Sequence, residues 1–101
     1  MGTSKRYAEQ IDQRMSDSIA RRIMESGEPW TLGNEELALD VLPLTRTPEP
    51  VAVRVWVRYP GGPLLVDAEA VAWTSRATAV RWPAGEHAHR AWVWSSAVES
   101  R

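Results

Sequence analysis

Cysteine and phenylalanine are both absent from this 101-residue chain, and lysine occurs once, at Lys5. Without a thiol there is no disulfide framework, no thiolate zinc site and no cysteine nucleophile. Without phenylalanine, aromatic packing rests on six tryptophans and two tyrosines, rings that each carry a polar N–H or O–H needing a partner when buried. Charge of one sign is lacking too. Twelve basic residues, eleven of them arginine, face thirteen acidic ones for a net charge of -1, so no global field draws the chain to nucleic acid or to an anionic membrane. No apolar run reaches the ~18 residues needed to span a bilayer, and the opening residues lack the apolar stretch of a signal peptide. These absences predict a soluble, cytoplasmic protein with no membrane partner.

The composition, 44% hydrophobic and 25% charged, is that of an ordinary globular domain, and the length suits one core. The two halves differ in kind. Residues 1–50 carry a net charge of -3 and residues 51–101 a net charge of +2. From Ser4 to Gly27, Tyr7, Ile11, Met15, Ile19 and Ile23 recur at every fourth position, which predicts an amphipathic helix. Thr3 or Ser4 is its expected N-cap, Gly27 its C-terminal cap, and Pro29 stops it. A repeat of four drifts around the helix, so docking on a curved surface is expected rather than a long coiled coil. Thr31–Asp40 predicts a second helix of about two turns with Asn34 as N-cap. Pro43, Pro48 and Pro50 then mark an extended joint. The expected organisation is a helical segment over 1–42, a joint over 43–50 and a β domain over 51–101.

From Val51 the period becomes two. Val51, Val53, Val55, Val57 and Tyr59 alternate with Ala52, Arg54, Trp56 and Arg58, the pattern of a half-buried strand. Pro60-Gly61-Gly62-Pro63 makes a turn, and further strands are expected over Leu64–Thr74, Ala77–Trp82 and Ala88–Trp94. Four short-connected strands form a meander that must curl into a barrel or be covered by a helix.

At the end of the chain Trp92-Val93, the Ser95-Ser96 pair and Val98-Glu99 resemble the closing segment of SH3 domains: strand, single helical turn, short last strand. The resemblance covers about a tenth of the chain and implies an SH3-like barrel with a fifth strand. Trp94 and Ala97 stand where that family has a proline and a tyrosine of its peptide groove, and its early acidic and aromatic loop motif is not visible. What the resemblance implies is therefore the barrel rather than recognition of proline-rich peptides. As a whole the chain is similar to small proteins of high-GC bacteria and of their phages or plasmids. The fold expected is α+β: an N-terminal amphipathic helix and a short second helix, followed by a four- to five-stranded antiparallel SH3-like barrel.

Several clusters invite a chemical reading. Arg54, Trp56 and Arg58 share one strand face, a cation–ring–cation row suited to stacking bases and contacting phosphates, as single-strand-binding barrels do. Asp67 and Glu69 on the next strand are the expected ion-pair partners of that row. The same carboxylates could form a general acid–base pair, but no cleft signature accompanies them. Glu86, His87 and His89 have metal-ligand chemistry without a third fixed ligand or a second shell, so a solvated pair beside a turn is expected. Ser95 and Ser96 lack the strained elbow of a nucleophile, and Gly61-Gly62 lacks the lysine and helix of a phosphate loop.

Trp92 and Trp94 share a face opposite Ala91 and Val93, with the helix stripe as their expected cover and Trp73 and Trp82 in the same patch. The expected function is a non-enzymatic interaction module that binds a protein partner or itself through Trp56, Trp92 and Trp94, with Arg54, Arg58 and Arg90 shaping the rim. No cofactor, metal or small-molecule substrate is indicated. The alternative is nucleic-acid binding by the same arginines and tryptophans.

Overall fold

The computed structural model describes residues 17–101. Within them helix α1 occupies 17–24, helix α2 Asn34–Leu37, and five strands follow: β1 (Thr45–Tyr59), β2 (Gly62–Trp73), β3 (Ala77–Ala84), β4 (His87–Trp94) and β5 (Val98–Ser100). A 3-10 turn, Ser95–Ala97, separates β4 from β5. The architecture is α+β, and every strand pairing is antiparallel in the order β4-β3-β2-β1-β5. The first four strands are a meander, and β5 returns to the far side of β1, pairing Val55 with Val98 and Val53 with Ser100. The sheet is not closed, so β4 and β5 form its two edges.

Strand β1 begins earlier than its alternation indicates. Thr45 and Arg46 already pair with Trp73 and Ala72, and the register shifts before resuming at Val51 opposite Ala70. Residues 47–50 form the irregular stretch, so Pro48 and Pro50 sit where no ladder N–H is required. The Thr47 hydroxyl holds the bend by donating to the Glu49 carbonyl at 2.7 Å and accepting the Glu49 N–H at 3.2 Å. The extended joint is thus the kinked start of a strand. Helix α2 is also shorter than its sequence suggests. Its N-cap is Gly33 rather than Asn34, and the Glu36 carboxylate accepts the Gly33 N–H at 3.0 Å. Ala38, at φ 50°, ends it after one turn.

The inner face of the sheet carries the period-two residues, Val53, Val55, Val57 and Tyr59 from β1 against Val66, Ala68 and Ala70 from β2. Val80 and Trp82 from β3 and Ala91 and Val93 from β4 complete this core, and Ile23 and Met24 of α1 pack against it. The end of α1 is clamped to the β1–β2 turn, where the Ser26 hydroxyl accepts the Gly61 N–H at 2.9 Å. Gly27 is required there twice over: its φ is +145°, and a Cβ would come within 2.9 Å of the Pro60 ring. Ile19, on the same stripe as Ile23, is exposed; Tyr7, Ile11 and Met15 and the expected caps Thr3 and Ser4 lie outside the described residues.

Trp82 belongs to this core and not to the patch of Trp92 and Trp94. It is 2% exposed, and its indole N–H donates to the Tyr59 hydroxyl at 2.8 Å. That hydroxyl lies 2.7 Å from His89 Nδ1. The His87–His89 pair is therefore split. His89 is half-buried in a polar chain that satisfies the core tryptophan, whereas His87 is exposed at the turn.

Burial pushes the Tyr59 hydroxyl above its ordinary pKa of 10.0; the Trp82 N–H opposes the shift and Glu28 adds to it. A group whose folded pKa is raised keeps its full contribution below the unfolded value and loses it as pH rises through the folded one. Stability in denaturant titrations is accordingly expected to fall once pH passes 10.0, and Tyr59→Phe to flatten that alkaline slope. An unchanged slope in the variant would show that Tyr59 ionises as freely in the folded chain as in the unfolded one.

Candidate functional site

Residues 30–32 run as an extended strap across the open side of the sheet. Trp30 N–H donates to the Arg58 carbonyl of β1 at 2.7 Å, and Leu32 N–H to the Trp92 carbonyl of β4 at 2.9 Å. Trp92 N–H in turn donates to the Thr31 hydroxyl at 2.8 Å. Backbone groups left over on β1 and on the edge strand β4 thereby find partners in the strap. Leu32 and Leu37 are buried behind it against Ala77, with Trp92 packed on this second, smaller cluster. The cover of Trp92 is thus the strap and α2. Helix α1, the cover expected from its apolar stripe, goes to the inner face, because that face holds the larger apolar area.

The strap also delivers Trp30 to the place where β1 and β4 face each other. Trp30, Trp56 and Trp94 there line a hollow of about 280 Å³ together with Arg58, Pro63 and Ala97. Their relative exposures are 50%, 49% and 40%, so three large rings from three separate segments stay half in water. Each reaches the hollow for a different reason. Trp56 is outward because its neighbours Val55 and Val57 are inward. Trp94 is outward by the same alternation against Val93 and is the last residue before the 3-10 turn. Trp30 is held by its backbone bond to β1. Among the described residues only the Trp82 indole makes a hydrogen bond within the chain, leaving the three indole N–H groups of the hollow as free donors.

Among the described residues the hollow has one charged wall residue, Arg58, and no carboxylate. Arg58 sits opposite Pro63, and no acid among the described residues lies within ion-pair distance of it. Arg54, two residues earlier on the same face, is opposite Asp67, and its Nε lies 3.4 Å from that carboxylate. Asp67 also takes Arg101 at 3.4 Å, and Glu69 is bound by Arg81 at 3.2 Å. The expected ladder therefore forms, but it absorbs Arg54 and not Arg58, and Glu69 turns to β3 rather than to β1. Both carboxylates are engaged by guanidinium groups, so the ladder braces β1, β2 and β3 electrostatically. These pairs are half-exposed, and Arg54→Ala is expected to change the denaturation midpoint by no more than about 0.5 kcal/mol of stability.

The six residues named from sequence are consequently divided. Trp56, Arg58 and Trp94 meet in the hollow, Arg54 belongs to the ion-pair brace, and Arg90 and Trp92 line a separate cleft between β3 and β4. Trp73 is on β2 and Trp82 in the core, away from the hollow. Trp30 was not legible as a site residue. Its only sequence signal is a large exposed-type aromatic after Glu28-Pro29, and nothing local tells that the strap crosses the sheet opening.

Among the described residues no group of three His, Asp or Glu side chains is placed to hold a metal ion, and no helix is long and apolar enough to cross a membrane. No protein family, curated protein or solved structure matches this chain.

Proposed function

We propose that this chain is a non-enzymatic interaction module that holds an extended segment of a partner protein in the tryptophan-lined hollow. The observation that carries this reading is the convergence of Trp30, Trp56 and Trp94, half-exposed and with free indole N–H groups, from three separate segments. Rings of this size left partly in water lower their free energy when a ligand covers them, and indole N–H groups are suited to backbone carbonyls of an extended peptide. With Arg58 as its one charge, the hollow favours an apolar segment flanked by an acidic residue. The strand order, with β5 returning to β1 after a 3-10 turn, supports reading the domain as an SH3-like barrel opened at β4 and bridged by the strap.

Selection of peptides from a random displayed library tests the reading. Wild type is expected to enrich a consensus containing apolar residues next to an acid, and the Trp56→Ala, Trp94→Ala double variant to enrich none. Equal enrichment by both proteins would remove the hollow as the binding site. Self-association is one form of the same reading, and a dimer that survives dilution in light scattering and dissociates on the same double substitution would identify it.

Nucleic-acid binding is a second reading, favoured by the unpaired Arg58 beside Trp56. It predicts retention of single-stranded oligonucleotides that falls steeply between ~50 and ~200 mM salt, whereas peptide binding to a desolvated aromatic surface changes little.

A further inference from the structure

A second cleft, of about 410 Å³, opens on the outer face of the sheet on the side of β2, β3 and β4. The register explains why it is hollow. Arg46 pairs with Ala72, Ala72 with Ala79 and Ala79 with Trp92, so one cross-strand row runs through four strands with an arginine at one end and an indole at the other. The two alanines between them are the floor, and their methyl groups leave the space that larger side chains would fill. At strand spacings of ~4.8 Å the row is roughly 14 Å long.

The charge around this floor is of one sign. Arg81 and Arg90 are directly opposite each other on β3 and β4 and line the same cleft as Arg46. Like charges at a cross-strand pair are unfavourable, and no carboxylate among the described residues lines the cleft. Arg81 is partly compensated by Glu69 from outside it, at 3.2 Å. Among the described residues neither Arg46 nor Arg90 has an acidic partner within ion-pair distance. In a chain whose net charge is -1, three guanidinium groups, two of them without an acidic partner among the described residues, are concentrated at a cleft that also carries a tryptophan and an apolar floor.

We propose that this cleft binds a phosphate monoester carried on an aromatic ring, as in a nucleoside monophosphate. The dianion takes the two unpaired guanidinium groups, whose planar forks match phosphate oxygens, and the ring lies over the alanine floor toward Trp92. The cleft's volume of about 410 Å³ lies within the range of small-molecule sites. The proposal is independent of the hollow, which faces the other end of β1.

Calorimetric titration of the full chain with adenosine monophosphate, phenyl phosphate, inorganic phosphate and adenosine tests it, together with the indole N–H signals in nuclear magnetic resonance. Adenosine monophosphate is expected to bind saturably and to shift the Trp92 indole signal while those of Trp56 and Trp94 stay in place. Arg46→Gln and Arg90→Gln, both at exposed positions, are each expected to weaken binding about tenfold or more. Arg76→Gln, a charge change in the β2–β3 turn outside the cleft, is expected to leave it unchanged. Phenyl phosphate binding as tightly as the nucleotide supports the site and identifies a simple aryl phosphate as sufficient. Inorganic phosphate or adenosine binding as tightly as adenosine monophosphate overturns the proposal, because ring or phosphate is then not read. Absence of saturable binding at millimolar ligand, or equal affinity in Arg46→Gln and Arg90→Gln, overturns it as well. Because Trp56 and Trp94 play no part, failure of the peptide-binding reading leaves this result untouched.

Discussion

Replacing Trp82 by alanine is expected to unfold the domain or to bring its melting temperature down by tens of degrees. The residue is 2% exposed and is among the largest fully buried side chains. Removing a buried indole costs about 3 to 5 kcal/mol, a large share of the ~5 to 15 kcal/mol that holds an ordinary domain together. For a domain of this size each kcal/mol is worth roughly 4 to 8 °C. The loss is compounded by polarity. The Tyr59 hydroxyl, which now accepts the Trp82 N–H at 2.8 Å, would face an apolar void with one lone pair unused. Trp82→Phe separates the two contributions: it keeps most of the ring and drops the N–H, so it is expected to cost only about 1 to 3 kcal/mol. Thermal melts followed by circular dichroism read both. A Trp82→Ala melting temperature within about 5 °C of wild type would mean that the core is not built around this ring.

The second large effect concerns binding rather than stability. Trp56→Ala and Trp94→Ala each remove a half-exposed ring from the wall of the hollow, and each is expected to cost a bound peptide about 2 kcal/mol, or thirtyfold. Together they should abolish detectable binding. Folding should survive, because the inward neighbours Val55, Val57 and Val93 are untouched and carry the core. A melting temperature near wild type with no residual affinity is therefore the expected pair of results for the double variant. Loss of both stability and affinity would instead show that the rings are structural supports of the sheet opening. Arg58→Gln refines the reading. It should weaken selected peptides that carry an acidic flank and leave neutral ones unaffected.

Much of this arrangement is legible in the linear chain. The alternation from Val51 to Tyr59 assigns Arg54, Trp56 and Arg58 to one face and the valines to the other, and burial follows it from Val53 onward, while Val51 at the edge of the irregular stretch stays exposed. The strands expected to start at Leu64, Ala77 and Ala88 appear within a few residues of those positions. What misled was each case where a partner distant in sequence decides the outcome. Prolines at 43, 48 and 50 signal a joint, yet a register irregularity accommodates Pro48 and Pro50 inside β1. Two histidines beside a turn signal solvation, yet His89 is half-buried against the hydroxyl of Tyr59, thirty positions earlier. An apolar helix stripe and a tryptophan face both lack a cover, and pairing them is reasonable from sequence; in the structure Ile23 packs on the inner core and Trp92 on the Leu32–Leu37–Ala77 cluster.

The sequence by itself determined which strand residues share a face, where the β-strands turn and that thiol chemistry is absent, because periodicity, turn residues and composition act over a few neighbouring positions. Only the tertiary structure decided which faces meet. The strap at residues 30–32 brings Trp30 to Trp56 and Trp94, and the strand register places Arg46 in line with Trp92 across two alanines. Both arrangements rest on hydrogen bonds between segments far apart in the chain. Such pairings are selected by the burial of the whole sheet and not by any local pattern, and so no stretch of the sequence announces either site.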